Sequence, residues 1–393
     1  MKFSDRLDKM PPYMFAELDK IKDKMIAEGR ELLDLGVGDP VEPPPAHILD
    51  ALKGSLQNVE NHRYPPYPGT NAFRQAVARF YERRFDVTLD PEKEILALLG
   101  SKEGIAHIFQ VMLSPGDYVI LTDPCFPMYK LAATLAGGEI HSLPIEQDNG
   151  YIPDLESIPM KILKKTKMIL LNYPNNPTTA VVPLGFLSEA IAFAKEYGVL
   201  LCNDNAYSEI AFDGFRPLSL LEVPGAKEIA IEFNSLSKPY NMAGWRIGYA
   251  VGNHEVIAAL GKVKEVVDSG IWKAIQEAGV DALDNGDSDI RNMIKIYQAR
   301  RDIVVNSLRE AGLPVESPQA TLYVWVKVPS GQKSDEFVKS LLQETGVVVT
   351  PGSGFGEYGE GYFRISLTVK DEILKAAMAK LRDFARSKVS VAT

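Results

Sequence analysis

Cysteine is almost missing from this chain. Cys125 and Cys202 are the only two in 393 residues, too few for a disulfide scaffold or a four-thiolate zinc site, and no metal is expected. Both stand beside apolar neighbours, as buried thiols do, and the expectation is a reducing, cytoplasmic setting. An excess of positive charge is missing too: 43 Lys+Arg face 52 Asp+Glu, for a formal net charge of −9. That excludes a protein whose main business is gripping nucleic acid or an anionic membrane by charge. No apolar run approaches the ~18 residues of a membrane span, and the opening MKFSDRLDKMPPYMF has no apolar leader segment. Internal repeats and low-complexity tracts are absent, and 30 Gly and 26 Pro are too scattered for a fibrous or disordered chain.

What is present is an ordinary globular composition, 46% hydrophobic and 24% charged, in a chain long enough for two or three domains at roughly 150 residues each. Short apolar runs alternate with helix-like segments from about position 95 to 255, the rhythm of an α/β unit with a mainly parallel, buried sheet. The runs predict seven strands, near Ile95 to Leu99, Tyr118 to Thr122, Glu139 to Leu143, Lys167 to Asn172, Val199 to Asn203, Ile229 to Asn234 and Arg246 to Val251. Glu103 to Leu113 reads as a helix between Gly100 and Ser114-Pro115-Gly116, and Ser188 to Glu196 as a helix stopped at Tyr197-Gly198. Beyond about 290 the pattern becomes that of a smaller α+β domain: a long polar helix, Asp289 to Glu310, then strand-like Thr321 to Val328, Val347 to Thr350 and Tyr362 to Leu367 before a C-terminal amphipathic helix. The first 35 or so residues, with Pro11-Pro12 and a charged helix ending near Gly29, are too short to stand alone and are expected to pack on another domain or subunit.

The chemistry gathers at the strand ends. Lys238 lies just after a strand in SLSKPYNMAGWRIGY, with Ser235 and Ser237 before it and Arg246 after it, while Asp204 and Tyr207 close an earlier strand. Several charged and hydroxyl groups would then converge on one sheet edge. An anionic aldehyde cofactor accounts for that set. A lysine holds the aldehyde as a Schiff base, an aspartate keeps a pyridine nitrogen protonated, and an arginine with serine hydroxyls holds a phosphate. Those are the requirements of pyridoxal phosphate.

SLSKPYNMAGWRIGY, PNNPTT at Pro174 to Thr179 and NDNAYSEI at Asn203 to Ile210 resemble, in that order, the lysine signature, the PNNPTG element and the D-x-x-Y segment of the class I and II aminotransferases. The resemblance covers essentially the whole chain. It implies an α/β, fold-type-I pyridoxal-phosphate transferase: a large domain with a mainly parallel seven-stranded sheet over residues 46–285, and a small α+β domain over 286–393. An N-terminal arm over 1–45 supplies part of the small domain. By motif position, Lys238 is the expected Schiff-base lysine and the base that moves the proton. Asp204 pairs with the pyridine nitrogen, and Asn176 and Tyr207 bond the phenolic oxygen. Ser101 and Lys102 in GSKEGI, with Ser235 and Arg246, match the phosphate ligands. Phe126 in DPCFPMY covers the ring. Tyr64 in YPPYPG matches a tyrosine that reaches the neighbouring subunit's phosphate, which implies a homodimer with shared active sites. Cis peptides are expected before Pro124 and Pro177. Each position also has a plainer role: Asp204 as a helix N-cap, Asn176 as a turn residue, Tyr207 as core, YPPYPG as a rigid loop.

For substrate, Arg364 in YFRISL stands at the family's α-carboxylate arginine, where a planar fork suits a carboxylate, and Val37 and Gly38 in LGVGDP lie in a loop that closes over substrate. RPLSLLEVPGAKEIAIEFNSLSK and DSGIWKAIQEAG are most similar to the LL-diaminopimelate aminotransferases. That similarity implies LL-2,6-diaminopimelate as amino donor, 2-oxoglutarate as acceptor, and Lys102 and Asn176 among the groups near the substrate. Thr179 and Pro239 depart from the family pattern, and the bulk of Trp272 leaves an aspartate- or alanine-type aminotransferase as the alternative. A fold-type-I lyase would use the same Lys238, Asp204 and Arg246. A ligand-sensing transcription regulator would need a basic DNA-binding domain that no segment supplies.

Overall fold

The computed structural model describes residues 3–10, 16–329 and 331–389; Pro11-Pro12 of the expected arm lies outside them. Among the described residues the strands are β1 (Leu33–Asp34), β2 (Ile95–Leu98), β3 (Tyr118–Asp123), β4 (Glu139–Pro144), β5 (Thr166–Leu171), β6 (Leu200–Asp204), β7 (Ala230–Ser235), β8 (Gly248–Gly252), β9 (Tyr323–Lys327), β10 (Val347–Val348), β11 (Thr350–Pro351) and β12 (Tyr362–Ser366). All seven strands expected between 95 and 252 form, each within two residues of its predicted ends; six are largely buried on both faces, while β4, at the sheet's edge, buries only Leu143.

They make one sheet in the order β2-β8-β7-β6-β5-β3-β4. Strands β3 to β7 run parallel, and β8 is antiparallel to both β7 and β2. Hence the carboxyl ends of β2, β3, β5, β6 and β7 and the start of β8 share one edge. Side chains alternate across the sheet: Ile169 and Leu201 enter the core that holds Phe73 and Tyr81, while Leu170 and Cys202 enter the core that holds Ile105 and Phe109. Helix Leu184–Tyr197 ends at Gly198 in the left-handed region, φ 64°, as the Tyr-Gly stop predicts.

A second body carries a three-stranded antiparallel sheet, β11-β12-β9, and a two-stranded parallel one, β1-β10. Pairing of Leu33 with Val347 draws the N-terminal segment into this body, and Leu33, Leu35, Val347, Phe363 and Leu381 share its core. The run Val347 to Thr350, expected as one strand, is two. Val347 pairs with β1 and Thr350 with Arg364 of β12, so the chain changes sheets at Val349. Helix Asp287–Glu310 starts two residues earlier than expected, with Asp287 and Asp289 in its first turn, where acidic groups favour the helix dipole.

Candidate active site

The shared edge opens into a cavity of about 810 Å³. It is lined by Lys238, Asp204, Tyr207, Asn176, Phe126, Ser101, Lys102, Ser235, Arg246, Val37, Gly38 and Arg364, so the structure gathers twelve of the thirteen residues singled out from sequence. The exception is Tyr64, which is 85% exposed and does not line the cavity of its own chain.

Asp204, the last residue of β6, is 7% exposed. Its Oδ2 accepts a 2.6 Å hydrogen bond from Tyr129, and its Oδ1 is buried with no partner. Burial pushes the carboxyl from 3.8 up to about 6, against the pull of Tyr129, the Ala206 N–H and Lys238. A protonated pyridine nitrogen would give Oδ1 its missing donor, so the donor set fits pyridoxal phosphate. Asn172 ties this group to the next: its amide donates to the Asp204 carbonyl at 2.7 Å, and its Oδ1 accepts from the Asn176 N–H at 2.8 Å. Tyr207 stands 3.3 Å, hydroxyl to hydroxyl, from Tyr323. Burial pushes the Tyr207 phenol well up.

Lys238 follows β7 and donates to the Gly38 carbonyl at 2.6 Å. At the far side Gly100, at φ 81°, begins helix Ser101–Met112, whose leading N–H groups have no acceptor within the helix. Arg246 closes over it. A Cβ on Gly100 would lie 2.5 Å from Arg246 Nη2, so a larger residue would have to push the guanidinium aside as well as hold a left-handed φ that favours glycine. The guanidinium donates to the carbonyls of Ala243 (2.9 Å) and Leu99 (3.3 Å). Helix N-terminus, Ser235 and Arg246 together could hold a phosphate.

Arg364 reaches in from β12. Its guanidinium lies over the Tyr323 and Phe355 rings, 4.0 and 4.7 Å from their centroids, which fixes its plane. Nη1 donates to Asn176 Oδ1 at 2.6 Å and Nη2 to the Gly36 carbonyl at 2.9 Å, while Nε is buried without a partner. The loop over it is pinned by Thr350 to the Gly36 carbonyl and by Thr368 to the Val37 carbonyl, both at 3.0 Å. A Cβ on Gly38 would collide with the Tyr323 hydroxyl. Leu18, Asp19 and Lys22 of helix Ala16–Ala27 complete the mouth.

Tyr129, Asn172, Tyr323 and Phe355 were not singled out from sequence. Tyr129 had a signal, three residues past Phe126, and Asn172 another, just ahead of PNNPTT; Tyr323, within a strand-like run, and Phe355 carried none. Cis peptides occur before Pro124 and Pro177, as expected, and also before Pro174. Trp272 does not line the cavity of its own chain. Its indole N–H donates to the Asn61 carbonyl at 2.8 Å, beside the loop that carries Tyr64, so its bulk is no obstacle within this cavity.

Residues 30–381 match the family described as aminotransferase class I and II. The chain is 53% identical over 384 residues to the LL-diaminopimelate aminotransferase of Natranaerobius thermophilus, covering 98% of this chain and 100% of that one. It is 51% identical over 381 residues to the enzyme of the same name from Aquifex aeolicus, covering 97% and 98%. Among solved structures, substrate-bound BacF from Bacillus subtilis superposes with a TM-score of 0.93 at 36% identity, over 98% of each chain.

Proposed function

Because the chain belongs to the class I and II aminotransferases, enzymes dependent on pyridoxal phosphate, we propose that it moves the amino group of LL-2,6-diaminopimelate to 2-oxoglutarate in a ping-pong cycle. The observation that carries the chemistry is the convergence, in one cavity, of the Lys238 amine, the partnerless Asp204 Oδ1 and the Arg364 fork. Relatives named for this reaction over the full chain support the donor.

The bound cofactor supplies an aldehyde that takes an amino group as a Schiff base and a ring that draws electrons from the substrate Cα. The residues do the rest. Arg364 receives the α-carboxylate bidentately, with Asn176 beside it. Lys238 Nζ would act as the base that takes the proton from the substrate Cα and holds it for return on the same face. Asp204 Oδ1 would accept from the ring nitrogen, Asn176 and Tyr207 would serve the phenolic oxygen, and Phe126 would cover the ring. Ser101, Lys102, Ser235 and Arg246 would hold the phosphate. Val37 and Gly38, carried on the arm over residues 1–45, shut out water as the small domain over 286–393 closes on the large one over 46–285. Lys102 meets the distal carboxylates.

The active form is proposed to be a homodimer in the cytoplasm, with Tyr64 reaching the neighbouring subunit's phosphate. Its 85% exposure, and that of Val59 (75%) and Val266 (87%), leaves apolar surface of the kind a partner covers. The two free cysteines, both buried, suit a reducing compartment.

The deciding experiment mixes the purified holoenzyme with single amino acids and follows the cofactor's absorbance from aldehyde to amine form. LL-diaminopimelate and glutamate should convert it at least tenfold faster than aspartate or alanine. Conversion by aspartate alone would transfer the assignment to an aspartate-type enzyme, and ammonia released without an acceptor would make it a lyase.

A further inference from the structure

The two oxygens of Asp204 have unlike surroundings: Oδ2 is held by the Tyr129 hydroxyl at 2.6 Å, and Oδ1 is buried and bare. Tyr129 is 2% exposed, in the first turn of helix Met128–Ala136. Its ring meets Phe126 edge to face, with centroids 5.6 Å apart and planes at 85°. We propose that Tyr129 is the positioning residue for the cofactor ring: its hydroxyl turns Asp204 so that Oδ1 is the oxygen offered to the pyridine nitrogen, and its ring edge braces Phe126 as the stacking face. This inference rests on the pyridoxal-phosphate assignment above.

The chemistry of the donor matters. A cation in the place of Tyr129 would neutralise Asp204 and remove its attraction for a protonated nitrogen. A phenol satisfies one oxygen and leaves the carboxylate its full negative charge. Tyr129 keeps its proton, because burial and the adjacent Asp204 push its ionisation well up. The groups facing the pair add only one charge. They are the Ala206 N–H and Tyr207 beyond β6, Lys238 beyond β7, and Cys125 next to Tyr129; burial pushes the Cys125 thiol to about 12, so it stays neutral. Without the phenol, Oδ2 would be a second bare oxygen in a dry site, and the charged form of Asp204 would lose its closest support.

The test uses the holoenzyme reconstituted with cofactor labelled with nitrogen-15 in the ring, and reads the ring-nitrogen shift from about pH 6 to about pH 9, a span over which one pKa unit is a tenfold change in proton affinity. The parent should hold the nitrogen protonated throughout. Tyr129→Phe should lower its proton affinity and its cofactor affinity each by about tenfold, and slow the first half-reaction about tenfold, with the KM for the amino donor within about twofold. Tyr129→Gln, which keeps a neutral N–H donor, should restore the parental titration. Should Tyr129→Phe fail to fold, the glutamine variant carries the test alone. Identical titrations in parent and Tyr129→Phe, or loss of the parental titration in Tyr129→Gln, would overturn the inference. A parent that takes up no cofactor would instead overturn the assignment beneath it.

Discussion

At the scale of single residues, Asp204 shows how burial and chemistry are joined. Its carboxyl is raised from 3.8 to about 6, so between those pH values the unfolded chain has released a proton that the folded, cofactor-free chain still holds. Stability of the cofactor-free protein therefore falls as pH rises from about 4 to about 6, by on the order of 3 kcal/mol for a shift of this size. Asp204→Asn, which has no charge to bury, should melt above the parent at pH ~8 without cofactor and lose that advantage near pH ~4. With cofactor bound the order should reverse, since only the aspartate answers a protonated nitrogen. Calorimetry of both proteins in both states checks this; a difference in Tm that ignores pH would contradict it.

Among elements, the strands were legible in sequence and the loops only in part. A run buried on both faces declares itself without its neighbours, as six strands of the large sheet do, and the more exposed edge strand β4 follows from the strand–helix rhythm around it. Val347 to Thr350 looked like one strand because β propensity is local and the choice of partner is not. The PNNPTT loop carries a departure with a physical cost. Thr179 stands where the family has glycine and adopts φ 65°, a left-handed conformation that a β-branched residue resists. Its N–H is still bonded to the Asn175 carbonyl at 2.9 Å, so the surrounding loop holds it there. Thr179→Gly should raise stability by about 1 kcal/mol in urea titration and leave turnover within about twofold. A loss of stability would mean that the threonine side chain contributes packing that outweighs the backbone strain.

For the whole molecule, the surface that carries Tyr64 bears on assembly. Gly270 packs against Pro65, Pro66 and Tyr67, which brings the Trp272 segment onto the same face as Tyr64. If active sites are shared across that face, a Lys238→Ala chain and a Tyr64→Ala chain should complement each other. Each homodimer lacks one group in both sites, whereas the mixed dimer has one site with both. Refolding the two together should yield about a quarter of parental turnover, from half of the dimers each with one intact site. Activity no greater than the average of the separate variants would show that Tyr64 serves no neighbour.

By itself the sequence determined the α/β class, the seven strands and the chemical inventory of the site. Buried strands, a lysine after a strand end and glycine-marked turns are properties of contiguous residues, and contiguous residues can be read in order. Only the tertiary structure decided how that inventory is held. Tyr129 reaches Asp204 across 75 positions and Arg364 reaches Asn176 across 188, and the arm that carries Gly38 is drawn over Lys238 by a strand pairing between Leu33 and Val347. Contacts of that range depend on which elements the packing of the cores brings together, and no local pattern records them.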